Sequence, residues 1–103
     1  MQLNKAAFFD RDGTINVNYG HVYKIEDLTF IPGVPEIIRG YNRENIPVIV
    51  ITNQAGIAKH LYTEDDMHRF NSHMNRELQR LYRCGYYGRR CILFLPTPSR
   101  LYR

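Results

Sequence analysis

Four β-branched residues in a row, Val48-Ile49-Val50-Ile51, stand between Pro47 and Thr52 in the run "PVIVIT". Such side chains are stiff at χ1 and crowd a helix, but they fit a pleated strand. The run does not alternate with polar residues, so it reads as a strand that is apolar on both faces. Strands of that kind belong to parallel sheets covered by helices. Parallel neighbours in turn need long crossover connections, usually helical. The chain therefore has to supply a second strand and helices around this one.

It does. Residues 5–9, "KAAFF", read as a short first strand, and "DRDGT" follows as an Asp-Gly turn. Residues 15–31 have no clean period and read as an irregular excursion with a small hairpin around Tyr19-Gly20. A helix is predicted from near Pro35, since proline suits a first helical turn. Ile37, Ile38 and Tyr41 are its core candidates, and Asn45 and Pro47 end it. "NQAGIAKH" reads as a loop. Thr63 and Asp66 then have the spacing of a capping box, and Met67, Phe70, Met74, Leu78 and Leu81 recur at helical spacing. The order β–loop–α–β–loop–α predicts an α/β fold: the first half of a Rossmann-like, doubly wound parallel sheet. Further on, "CILFL" has strand character and "PTPS" breaks it.

Bulk composition narrows the class. With 103 residues, 44% of them hydrophobic, the chain suits one small globular domain and not a disordered one. No apolar run approaches a membrane span, and "MQLNKAAFFD" lacks a signal-peptide layout, so the expected location is the cytoplasm. In that compartment Cys84 and Cys91 do not make a disulfide framework. The net charge of +4 is unevenly placed. Residues 1–82 hold nine Lys/Arg and all ten acids, whereas residues 83–103 hold five arginines and no acid. A composition break of this kind asks for its own explanation.

In an open α/β sheet, ligands bind beyond the carboxyl ends of the strands. If the two strands are neighbours, "DRDGT" and "TNQAG" converge on one crevice. Paired carboxylates suit a hard cation such as Mg²⁺. A carboxylate can also attack phosphorus, while a second acid moves the proton. Hydroxyl, amide and backbone donors would steady the phosphoryl charge. Asp-x-Asp-Gly also occurs in calcium loops and in plain turns, so the motif alone leaves both readings open. The Arg/Tyr-rich tail has no helical register and no nucleic-acid module, which disfavours a nucleic-acid partner. Cys84 and Cys91 are at most half of a zinc site. His60 reads as a loop residue, His68 and His73 as solvated residues, and Met67 and Met74 as core filler.

"FFDRDGT" and "VIVITNQAGI" resemble the first and second motifs of the haloacid dehalogenase-like phosphatases. Within them, "DRDGTINVNYGHVYKIEDLTFIPGV" followed by "TNQAGIAKHLYTEDDM" is similar to the heptose 1,7-bisphosphate phosphatases, with histidinol-phosphate phosphatases as a related branch. The resemblance spans about residues 5–80. It implies a hydrolase that removes the 7-phosphate of a D,D-heptose bisphosphate on the route to lipopolysaccharide or related glycoconjugates. It gives Asp10 the roles of nucleophile and Mg²⁺ ligand. Asp12 becomes the general acid/base, with its backbone carbonyl as a second metal ligand. Arg11, Asn18, Tyr19, Gly20 and His21 fall where the family contacts the sugar phosphate. Thr52, Asn53, Gln54 and Ala55 fall on its phosphate-binding loop. The implied partner is a small sugar phosphate, with no nucleic acid and no membrane, and the expected state is a monomer.

The chain also departs from the family. The family's later Lys and acid motifs have no counterpart, since no Lys follows Lys59 and no acid follows Glu77. The family's structural Zn²⁺ loop, "CPHHP", is replaced by "LPTPS". One choice of codons for Leu95–Arg103, shifted by one nucleotide, reads "CPHHPDYT". The expectation is thus a partial phosphatase domain over residues 1–82 and an aberrant, frame-shifted tail over residues 83–103. Two functional readings follow: an enzyme of this family, or a remnant that keeps the phosphate crevice without turnover.

Overall fold

The computed structural model describes residues 5–52, 55–85 and 90–95. Strand β1 (Ala7–Asp10) pairs in parallel with β2 (Val48–Ile51), in the register Ala7↔Val48 through Asp10↔Ile51. A two-residue strand, β3 (Leu93–Phe94), pairs in parallel with the other edge of β2. Between them lie helix α1 (Val34–Arg43), a single helical turn α2 (Ala55–Ala58) and the long helix α3 (Glu64–Tyr82). The strand order β1-β2-β3 means both crossovers step the same way. Right-handed crossovers then set α1 and α3 on one face of the sheet, and the two helices touch. The parallel α/β architecture expected from "PVIVIT" is present.

The core lies between that face and the helices. Val48 and Val50 of β2 pack with Ile38 of α1 and with Phe70, Met74 and Leu78 of α3. Ala7, Phe9 and Phe94 join from the neighbouring strands. The other face carries Phe8, Ile51, Leu93 and Leu95, all exposed, with Phe8 at 60%. So β2 is apolar on both faces, as its sequence reads, but only one face is buried.

Several local expectations need correction. Ile37 and Leu81 are 53% exposed, because each lies one position off the buried stripe of its helix. The "NQAGIAKH" segment contains the turn α2. No hairpin forms around Tyr19-Gly20. Instead a 3-10 turn covers Ile25–Asp27, and residues 15–17 are tied to 29–31 by Val17 N–H to the Thr29 carbonyl and Ile31 N–H to the Ile15 carbonyl. Packing also continues past residue 82. Cys84, Cys91 and Ile92 belong to the main core. Asn75 of α3 secures that segment: its Oδ1 accepts the N–H groups of Cys91 and Ile92, and its amide donates to the Ile92 carbonyl, each at 3.0 Å. The tail beyond Leu95 lies outside the described residues.

Candidate active site

The register Asp10↔Ile51 brings the carboxyl ends of β1 and β2 side by side. A cavity of about 400 Å³ opens there, lined by Asp10 and Asp12 of the first loop and by Ile51 and Thr52 of the second. Arg11, Asn18, Gly20, His21 and Tyr62 complete its wall. Thr52, which opens the second motif, meets the first loop there, as the sheet topology requires.

The first loop is tightly wound. Gly13 has φ +85°, a left-handed conformation that glycine adopts without a Cβ clash. The Arg11 carbonyl accepts from Ile15 N–H at 2.9 Å, and Gly13 N–H donates to the Asn16 carbonyl at 2.8 Å. This turn leaves Asp10 and Asp12 in different surroundings. Asp10 is exposed, and its carboxylate has neither hydrogen bond nor ion pair among the described residues. Asp12 is held firmly: Arg11 Nη2 donates to both of its oxygens at 3.0 Å, and Asn16 Nδ2 donates to Oδ1 at 3.0 Å.

Arg11, expected as a phosphate contact, lines the same cavity. Its side chain is fully buried and points into the protein. Besides Asp12, the guanidinium donates to Asn71 Oδ1 of α3 at 3.0 Å and to the Val22 carbonyl at 2.7 Å. It also sits 4.6 Å from the centre of the Phe70 ring, a cation–π contact. Burying a cation is costly unless it is paired and hydrogen-bonded, and here it is both. Arg11 therefore braces Asp12 against α3 and against the loop that carries Asn18 to His21.

That loop is itself shaped by local bonds. Asn18 Oδ1 accepts the Gly20 N–H at 2.9 Å, and both Gly20 and His21 have positive φ. The turn directs Asn18, Gly20 and His21 to the cavity. Tyr19 is not in its wall: the ring is 63% exposed and its hydroxyl donates to Thr29 Oγ1 at 3.3 Å. Thr52 is buried at the end of β2, at the cavity's edge. Asn53 and Gln54 lie outside the described residues, and of Ala55 only its backbone place at the start of α2 is described.

Tyr62 is a cavity residue that the motif reading missed. Its ring stacks on Tyr23 at 4.7 Å and tilts toward His21 at 6.5 Å. A Cβ on Gly56 would collide with it, so this glycine lets α2 approach the ring. A signal was available. Tyr62 precedes the N-cap Thr63 and packs with Met67, four positions into the helix, which is a hydrophobic staple.

The donor set fits a hard cation. An unengaged carboxylate, Asp10, faces the cavity beside the Asp12 loop, and Mg²⁺ takes one or two carboxylates and completes its shell with water and phosphate oxygens. Among the described residues no cluster of three or more His, Cys, Asp or Glu side chains is placed to hold a metal, so a zinc site is not supported. A second cavity of about 640 Å³ runs along α3, from Thr52 past His68 and Arg76 to Arg90. It lacks the paired acids.

No protein-family model matches the chain. It is 38% identical over 76 residues to the D-glycero-β-D-manno-heptose-1,7-bisphosphate 7-phosphatase of Haemophilus influenzae, covering 74% of this chain and 41% of the relative. It is 38% identical over 87 residues to the D-glycero-α-D-manno-heptose-1,7-bisphosphate 7-phosphatase of Campylobacter jejuni, covering 78% and 51%. Among solved structures, a HAD-like phosphatase of Mesorhizobium loti superposes with a TM-score of 0.70 at 34% identity, over 74% of this chain and 36% of that one. The D,D-heptose 1,7-bisphosphate phosphatase of B. bronchiseptica, complexed with magnesium and phosphate, gives 0.70 at 24% identity, over 91% and 51%, and shares the fold. The chain thus spans about half or less of the length of these relatives.

Proposed function

We propose that this chain, which belongs over its matched residues to the haloacid dehalogenase-like phosphatases, hydrolyses a sugar phosphate through a phosphoaspartyl intermediate on Asp10. One observation carries the reading: Asp10, Asp12, His21 and Thr52 line a single cavity at the carboxyl ends of two parallel neighbours. Asp10, its carboxylate free of partners among the described residues, attacks phosphorus. Asp12, oriented by Arg11 and Asn16, takes up a proton as substrate binds and passes it to the departing sugar oxygen. It then takes one from the water that cleaves the phosphoaspartate. Thr52 and the backbone N–H groups after it steady the phosphoryl oxygens. Mg²⁺ would be held by the Asp10 carboxylate and the Asp12 carbonyl and would neutralise phosphoryl charge when bound.

The names of the relatives point to the 7-phosphate of a heptose 1,7-bisphosphate as the substrate, with histidinol phosphate as the alternative. His21 and Tyr62 give the cavity an aromatic wall suited to a sugar ring. The test is phosphate release by the purified chain from both heptose bisphosphate anomers and from histidinol phosphate, with and without Mg²⁺. Turnover of heptose bisphosphate that needs Mg²⁺ and falls at least about a thousandfold in Asp10→Asn supports the reading. Faster turnover of histidinol phosphate overturns the substrate.

A second reading is favoured by the exposed apolar sheet face. In it the chain binds phosphate without turning over, and its residues 83–103 come from a shifted reading frame. Calorimetric binding of inorganic phosphate with Mg²⁺, together with no hydrolysis, supports it. The frame shift fails if the neighbouring frame of the gene does not encode "CPHHP" followed by Lys and Asp motifs.

A further inference from the structure

The buried stripe of α3 is Met67, Phe70, Asn71, Met74 and Leu78, and Asn71 is its one polar member. This side chain is 5% exposed, and its Oδ1 accepts Arg11 Nη1 at 3.0 Å. The bond joins residues sixty apart in the chain and ties the helix to the first loop of the candidate active site. Phe70, the preceding residue, has its ring centre 4.6 Å from the same guanidinium. Two consecutive residues of α3 therefore hold Arg11, one through a ring face and one at a single nitrogen.

Arg11 meets Asp12 with its other nitrogens. Nε donates to Asp12 Oδ1 at 3.2 Å, and Nη2 donates to Oδ1 and Oδ2, each at 3.0 Å. A guanidinium is planar, with its five N–H groups in a fixed fork. Holding Nη1 therefore fixes the plane in which Nε and Nη2 point. We propose that Asn71 is a positioning residue: acting through Arg11, it sets the Asp12 carboxylate in the orientation that proton transfer to the departing sugar oxygen needs. This catalytic consequence rests on the phosphatase reading, whereas the chain of bonds from Asn71 to Asp12 does not.

Removing the acceptor at residue 71 takes a bond from Nη1 inside the protein, where an unmet cationic N–H is costly. The fork then turns to regain a partner, and Asp12 turns with it. The Val22 carbonyl does not prevent this, because it takes Nη2 at 2.7 Å, the nitrogen that already serves Asp12. The consequence falls on one part of the reaction. As the Asp10 oxygen bonds to phosphorus, the bond from phosphorus to the leaving oxygen breaks, and a sugar oxygen takes a proton from Asp12 as it goes. A nitrophenolate leaves as a stable anion and needs no such proton. A misaligned Asp12 therefore slows transfer from a sugar phosphate and spares transfer from a nitrophenyl phosphate.

The test measures kcat/KM of the full chain with Mg²⁺ on heptose 1,7-bisphosphate and on p-nitrophenyl phosphate. Asn71→Leu is expected to lose at least about tenfold on the sugar phosphate and less than about twofold on the nitrophenyl ester. Asn71→Asp returns an acceptor oxygen and should recover the sugar phosphate rate. Should Asn71→Leu not fold, Asn71→Ala serves the same test. Equal losses on both substrates, or no loss on either, overturn the proposal. A second readout needs no turnover: the Arg11 Nε–H signal in heteronuclear NMR. It should exchange slowly with solvent in the wild-type chain and in Asn71→Asp, and quickly in Asn71→Leu. A chain that hydrolyses neither substrate sinks the phosphatase reading, and the Arg11 signal then decides alone: faster exchange in Asn71→Leu supports the positioning of Asp12, and an unchanged signal overturns it.

Discussion

Arg11 heads the fully buried side chains by size, although it stands between two acids in a loop. Charge chemistry alone points such a residue outward to a phosphate, and that is how the sequence reads. The backbone sets where the side chain lies. Side chains alternate along an extended segment, and Ala7 and Phe9 face the core, so Arg11 falls on their side while Phe8 and Asp10 fall on the other. The alternation was visible in "AFFDRD", but nothing in the sequence showed the partners waiting inside: Asn71, Phe70 and the Val22 carbonyl. Asp10 and Asp12, by contrast, were legible because the motif and the strand end coincide. Replacing Arg11 by Met would leave the Asp12 carboxylate and the Val22 carbonyl short of a donor. Breaking a buried pair from one side costs about 3 kcal/mol. For a domain of this size Arg11→Met should lower Tm by about 15 °C. Arg11→Lys should lie between, since it keeps the charge and loses the fork. A melt unchanged in Arg11→Met would show that the guanidinium does not brace the loop.

Helix α3 was the most legible element, and its start shows why. Thr63 Oγ1 accepts the Asp66 N–H at 3.1 Å, and Asp66 Oδ2 accepts the Thr63 N–H at 2.9 Å, a complete capping box. Cap, staple and apolar stripe all lie within one stretch of chain, so no distant partner is needed to read them. β3 is the opposite case. Two residues of strand carry little intrinsic signal, and the segment leading into them is held by the side chain of Asn75, which bonds Cys91 and Ile92 from 16 and 17 residues earlier. Thr63→Ala should cost about 1 kcal/mol, read from urea melts at neutral pH. The box also makes the start of α3 sensitive to pH. The Thr63 N–H, with Arg69 adding to it, lowers the Asp66 pKa. A carboxyl lowered in the folded state stabilises fully above its unfolded value, and loses that contribution as pH falls through its folded value. Stability should therefore decline below about pH 4, with less of a decline in Asp66→Asn. Glu77, lowered by its bond to Arg80 at 2.8 Å, acts in the same direction at the other end of the helix. A double variant, Asp66→Asn with Glu77→Gln, should flatten the acid limb further, and an unaltered limb would place its origin elsewhere.

The whole molecule is one-sided. Both crossovers lay their helices on the same face, and the chain spans about half or less of relatives that share its fold. This is why the parallel sheet could be foreseen but its coverage could not. "PVIVIT" specifies a strand fit for burial on both faces, whereas actual burial depends on what packs against it. Phe8 and Leu93 lie in one row across the open face, because both pair with Ile49, and Ile51 and Leu95 stand one step further along. An apolar row on a parallel sheet, with β1 at its edge among the described residues, favours association with other chains and binding of apolar dyes. Phe8→Lys tests this without touching the core. At 60% exposure the ring contributes little to folding, so the substitution should change stability by less than about 0.5 kcal/mol. It should also reduce fluorescence of a bound naphthalene sulfonate and lower the light scattering of concentrated samples, while Phe9→Lys, on the helix-covered face, should unfold the chain. If Phe8→Lys instead destabilises as Phe9→Lys does, Phe8 is buried in solution and the sheet is covered on both faces.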